Sequence, residues 1–101
     1  MKNSVMLIGY PTQPVMDSEN RKASFQLVVT EWKNGSNIAN TFDCIALNDV
    51  ATRIVQRVVK KKRIAIDGSL RSYDYKDRLG DTHTKIEIEV SNLFVIDATR
   101  D

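Results

Sequence analysis

Apolar residues recur at alternate positions through five stretches of this chain and at helical spacing in only one. Alternation puts successive side chains on opposite faces of a strand, so each stretch offers a core one face. The first stretch, "NSVMLIGYPTQPVM", contains Gly9 and Pro11, which bend a strand or end its pairing. After the polar turn "DSENRK", "ASFQLVVTEW" sets Phe25, Leu27 and Val29 against Gln26, Val28 and Thr30. "KNGSN" holds Asn-Gly, a strong hairpin signal. Its partner "IANTFDCIALN" opposes Asp43, Ile45 and Leu47 to Phe42, Cys44 and Ala46; with Ile45 and Leu47 inward, Phe42 points outward.

The helical stretch is "VATRIVQRVVKKK", with Val50, Ile54, Val55, Val58 and Val59 at helical spacing and Asn48 or Asp49 as cap. Its β-branched residues lower helix propensity, so packing must hold it, and the terminal lysines complement the helix dipole. "RIAIDGSLRSYDY" is a long strand with Ile64, Ile66 and Leu70 on one face, where Gly68 permits strong curvature. Arg71, Tyr73 and Tyr75 share the other face. "KDRLGD" is the hairpin tip, and "THTKIEIEVSNLFVID" returns with Ile86, Ile88 and Val90 inward and Lys85, Glu87 and Glu89 outward. Five strands with one helix between the third and fourth predict an all-β chain closed as a five-stranded OB-fold barrel. An antiparallel sheet with a packed helix is the plainer alternative.

At 101 residues the chain is expected to be one domain, residues 1–101. Cys44 and His83 stand alone as the single cysteine and histidine, which excludes an internal disulfide and a multi-cysteine zinc site. No cofactor or metal is expected. The longest apolar run falls short of the roughly 20 residues of a membrane span, and the N-terminus lacks a signal-peptide core, so a cytoplasmic protein is expected. A formal net charge of +2 does not argue for a nucleic-acid partner by itself. The placement of cations says more: Lys60, Lys61, Lys62 and Arg63 cluster, and Arg71, Lys76, Arg78 and Lys85 line the segment after them.

The ordered strings "NSVMLIG", "FQLVVTEW", "TFDCIALND", "RIAIDGSLRSYDYKD" and "TKIEIEVSNLFVID" together resemble the bacterial single-stranded DNA-binding protein (SSB) family over about residues 3 to 97. The resemblance implies an OB-fold, a homotetramer, and DNA wrapped on a basic surface studded with aromatics. It places Trp32, Phe42 and Tyr75 at aromatic positions of the family, and Arg71 and Lys60 at basic ones. Asp43 stands where the family commonly has histidine near subunit contacts, which leaves a homodimer as the alternative. Asn48 stands where an aromatic often follows. The chain stops at Asp101 without the family's flexible linker and acidic tail, so tail-mediated recruitment of replication or repair proteins is not expected of it. The resemblance implies a bacterial, nucleoid-associated protein.

Tyr73 and Tyr75 could pack across the sheet or lie in a subunit interface. Arg71 on their face, with Lys76 and Arg78 following, favours DNA binding instead: bases stack on aromatics and cations meet phosphates. The expected DNA-binding residues are Trp32, Phe42, Tyr73, Tyr75, Arg71, Lys76, Arg78, Lys85, Lys60 and Lys33, with no catalytic residues. No nucleophile-elbow string, phosphate-cradling loop or paired histidine points to an enzyme. The expected function is non-catalytic, largely sequence-independent binding and protection of single-stranded DNA in replication, recombination or repair. A primosomal protein of the PriB type and a protein-interaction OB module are the alternatives. No role is assigned to His83.

Overall fold

The computed structural model describes residues 1–58 and 61–97. Its elements run β1 (Val5–Pro11), β2 (Val15–Asp17), β3 (Lys22–Lys33), β4 (Ser36–Leu47), α1 (Asn48–Arg57), β5 (Ile64–Lys76) and β6 (Thr82–Val95). The sheet order is β1-β5-β6-β4-β3-β2, and a further pairing of β1 with β3 closes the five long strands into a barrel. The helix follows the third long strand, as the order of patterns predicts. The three-residue strand β2 is an addition to that reading; it pairs with the start of β3.

Two glycines make closure possible. β1 meets β3 at Tyr10↔Val28 and Pro11↔Leu27, and a Cβ on the neighbouring Gly9 would collide with the Val28 carbonyl oxygen. Gly68 sits at a register shift between β5 and β6, where a Cβ would collide with the carbonyl oxygen of Glu89. Neither contact leaves room for a side chain, and the bulge adds the twist a small barrel needs.

The core gathers Ala23, Phe25 and Leu27 of β3, Cys44 and Ala46 of β4, Ile64 and Ile66 of β5, and Ile88, Val90 and Leu93 of β6. The helix plugs this core with Ala51 and Ile54, and Val58, just past its end, joins them. Val55, expected on the same stripe, is exposed instead, because a short helix resting on the barrel buries a narrow strip. Val59 lies outside the described residues. No side chain caps the helix: Asn48 takes a left-handed φ of 56°, and its N–H donates to the Arg21 carbonyl oxygen at 2.8 Å. The tertiary hydrogen bond replaces the expected side-chain cap. Burial pushes the Cys44 thiol up to about 12, helped by the adjacent Asp43 charge, so it stays protonated at neutral pH.

Four face assignments change. Cys44, Ile45 and Ala46 are buried consecutively, so alternation does not reveal which face of β4 is the core face. Pairing does: Leu27↔Phe42, Phe25↔Cys44 and Ala23↔Ala46 put Phe42 on the core-facing side, not the outer one. Leu70 and Ile86 keep inward parity yet are exposed, Ile86 by 63%. β4 and β6 pair only at Cys44↔Ile88 and Ile45↔Glu89, and the hairpins continue past that contact without a core to cover. Glu87, expected outward and solvated, is only 7% exposed.

The hairpin tips follow local chemistry. Asn34 and Gly35 both have positive φ, the conformation of a two-residue hairpin turn. At the other tip, the Leu79 and Asp81 N–H groups donate to Asp77 Oδ1 at 2.9 and 3.0 Å, and His83 Nε2 lies 2.6 Å from Asp77 Oδ2. The His83 contact, with these amides, holds the Asp77 carboxyl below its ordinary value of 3.8.

Gly68→Ala should destabilise the fold by about 1–3 kcal/mol, the range for overpacked sites. Urea unfolding checks this, and an unchanged midpoint would contradict the closure account. Because Asp77 has a depressed folded value, its contacts strengthen the tip above pH 4 and are lost as pH falls through that value. The Leu79 and Asp81 amide shifts should therefore titrate in NMR with a midpoint below 3.8. A midpoint at or above that figure would exclude the arrangement.

Candidate nucleic-acid interface

The register of β5 with β6 decides what the tyrosines face. Tyr73 pairs with Lys85, Tyr75 with His83 and Arg71 with Glu87, so all six side chains leave the sheet on its outer side. Leu70 and Ser72 pair with Ile88 and Ile86 on the other. The expected separation of Arg71, Tyr73 and Tyr75 from Leu70 therefore holds. The Tyr73 and Tyr75 ring centroids are 6.4 Å apart, tilted by 51°. The His83 ring stacks on Tyr75 at 5.5 Å and 28°. Three flat groups thus form a short ladder along the hairpin.

His83 escaped the sequence reading, which found it no partner. Its role depends on a cross-strand pairing and on Asp77, both fixed by the five residues of the turn. Counting back from that turn pairs position 83 with 75, so hairpin register was the signal that could have found it.

The cations divide by what holds them. Arg71 Nη1 pairs with Glu89 Oε1, and Lys85 Nζ lies 3.5 Å from Asp43 Oδ2. The Asp43 charge, then the Tyr73 oxygen, raises the Lys85 value. Both pairs are solvent-exposed and individually contribute little, so a phosphate can compete for either cation. Among the described residues Lys76, Arg78 and Lys33 make no ion pair. Lys76 ends β5 and Arg78 lies in the tip, directly beyond the aromatic ladder. Lys60 lies outside the described residues.

Trp32 and Phe42 stand apart from that ladder. Trp32, 70% exposed, pairs with Asn37 near the tip of the β3–β4 hairpin, on the outer side with Gln26 and Asp43. Lys33 follows it with opposite parity. Phe42 lies on the inner side at the barrel mouth, two residues before the Cys44↔Ile88 pair, and is partly exposed. The expected row of four outward aromatics is therefore three: Trp32 on one hairpin, Tyr73 and Tyr75 on the other.

Between the hairpins the outer face carries a cleft of about 310 Å³. Thr12, Gln13, Val15, Gln26, Asp43, Tyr73, Lys85 and Glu87 are among the residues that line it. Gln26 Nε2 donates to Asp43 Oδ1 at 3.1 Å.

A second exposed surface is apolar. Met6, Ile8 and Tyr10 point outward from β1, and Ile8↔Ala65 and Ala65↔Phe94 carry the row across β5 to β6.

Comparisons with solved structures agree with the barrel. The structure superposes on an SSB from Plasmodium falciparum, solved in complex with ssDNA, with a TM-score of 0.80 at 19% identity, covering 96% of this chain and 97% of that one. A small single-stranded DNA-binding protein from Mycoplasma pneumoniae gives 0.72 at 18% identity over 100% and 99% of the two chains. One from Streptomyces coelicolor gives 0.69 at 19% identity over 95% and 96%. At such identities the likeness establishes the OB-fold alone. No curated protein matches the sequence significantly. The family comparison is decisive, since the match to the Single-strand binding protein family runs over residues 2–96. This chain belongs to that family.

Proposed function

We propose that the chain binds and protects single-stranded DNA, without catalysis and largely without regard to sequence, in replication, recombination or repair. The observation that carries this reading is the Tyr73–Tyr75–His83 ladder leading to Lys76 and Arg78. Base stacking on aromatics is worth about 1–3 kcal/mol per base and tolerates any base. Lys76 and Arg78 meet the phosphates directly; Arg71 and Lys85 do so by exchanging their carboxylate partners for phosphate. Trp32 and Lys33 extend the track onto the second hairpin, and Lys60 belongs with the phosphate contacts through its matching family position. Phe42 contributes at the barrel mouth, where a strand passing between the hairpins would reach it. The relative from Plasmodium falciparum solved with ssDNA supports the same partner for this chain.

The chain acts as a homo-oligomer, a tetramer or a dimer. Support comes from the outward row Met6, Ile8, Tyr10 and Phe94, a contiguous apolar surface of the kind that marks protein contacts. That surface lies on β1 and its neighbours, leaving the tyrosine ladder free for DNA.

Titration with oligo-dT, followed by quenching of Trp32, should give binding at low salt that weakens steeply as salt rises. Tyr75→Ala should cost about 1–3 kcal/mol of that binding with the fold intact. No binding at low salt would end the reading. Light scattering on the same sample should give at least two copies, and a monomer would remove the oligomer.

A further inference from the structure

His83 is the single histidine of the chain, and it stands in the aromatic ladder with one ring nitrogen uncommitted. Its ring stacks on Tyr75, and Nε2 lies 2.6 Å from Asp77 Oδ2. The Asp77 carboxyl is held below 3.8, first by this contact and then by the Asp81 amide, so it is ionised at neutral pH. A carboxylate only accepts, so the hydrogen of a neutral His83 sits on Nε2. Nδ1 is then a bare lone pair. Among the described residues it has no hydrogen-bond partner, and the side chain is 48% exposed.

That lone pair sets what the ring can offer a DNA strand. A phosphodiester links each stacked base to the next, so a phosphate passes the rim of the Tyr75–His83 pair. Its oxygens are acceptors and repel the Nδ1 lone pair. A proton on Nδ1 reverses this, giving a cationic N–H donor while Nε2–H keeps its bond to Asp77. The ring stays in place because Asp77 also holds the Leu79 and Asp81 amides through Oδ1. We propose that His83 is a DNA-binding residue that takes up a proton as the strand binds, Nδ1–H donating to a backbone phosphate. This role rests on the single-stranded DNA reading and couples one proton, drawn from the buffer, to binding at that hairpin.

The charged groups around the ring are few. Asp77 touches it, Arg78 and Asp81 share its turn, and Lys76 ends the strand opposite. Along the hairpin the next pair is Tyr73 with Lys85, whose Nζ lies beside Asp43 of β4. A phosphate held by Lys76 and Arg78 adds negative charge to this set and so favours the imidazolium. Carboxylates, lysines, arginines and tyrosines ordinarily titrate outside pH 6–8, and burial takes the Cys44 thiol up to about 12. The N-terminal amine is the other group that ordinarily titrates there, and a variant separates the two.

The test measures binding of fluorescently labelled oligo-dT by anisotropy at pH 8 and pH 6, each over a range of salt. Neither thymine nor the phosphodiester changes charge between these values. Affinity should rise about two- to fivefold on acidification, the range of an exposed ion pair. The salt slope should be steeper at pH 6 by up to about 0.7, the share of one added single-strand phosphate contact. His83→Gln, which keeps an N–H donor for Asp77, should lose both changes. Affinity independent of pH in the unmodified protein overturns the role of His83 while leaving DNA binding in place. So does a pH response that survives in His83→Gln, or one with an unchanged salt slope. Should the Leu79 and Asp81 amide shifts show a disrupted tip in His83→Gln, proton uptake by the unmodified protein decides. It is read calorimetrically in buffers of different ionisation heat, and no uptake overturns the role. Failure to bind oligo-dT at either pH overturns the DNA reading itself, and the role of His83 with it.

Discussion

Closure of the barrel at two glycines is the constraint on which the remaining architecture depends. At Gly9 and Gly68 the backbone of one strand lies against a carbonyl oxygen of the next, a separation that only a residue without Cβ allows. Closure brings β1 onto β3, seals the apolar interior and removes most of the unpaired strand edge that an open sheet would expose. It also limits the barrel's depth. The core is complete by Leu27, Cys44, Gly68 and Ile88, and whatever the strands add beyond those positions must project.

Projection gives the chain its working surface. Beyond the short β4–β6 contact the two hairpins keep their pairing and their alternation, but no interior remains for their inward residues. Leu70, Ile86 and Phe42 are exposed for that reason, and Tyr73, Tyr75 and Trp32 are free on the reverse side. A planar ring on a paired strand has little conformational freedom to lose on binding, so these hairpins present their aromatics already ordered. The cleft arises from the same geometry. It is lined by residues between β1 and β2, Val15 of β2, and residues of β3, β4, β5 and β6, Glu87 among them.

Much of this was legible in the sequence, for identifiable reasons. Period-two alternation and the Asn34-Gly35 dipeptide are local signals, so strand order, turns and the single helix could be read directly. The outward set Arg71, Tyr73 and Tyr75 followed from parity within one strand. What failed required knowing two strands at once. The direction of Phe42 was hidden because Cys44, Ile45 and Ala46 are all buried, leaving no alternation to read. Ile86 and Leu70 looked internal because parity says which side a residue faces, not whether anything covers it. Glu87 looked solvated because parity gives its face and not how far that face is covered. Asn48 looked like a side-chain cap, yet at the start of the helix it is its backbone N–H that donates, to the Arg21 carbonyl oxygen.

The central claim is that single-stranded DNA lies on the outer side of the β5–β6 hairpin and not on the apolar face of β1. A ¹H–¹⁵N correlation spectrum recorded during titration with a short oligo-dT tests this directly. The account predicts the largest shift changes at Tyr73, Tyr75, Lys76 and His83, with Met6, Ile8 and Phe94 unmoved. Shifts concentrated on Met6, Ile8 and Phe94, with the tyrosine hairpin silent, would contradict it.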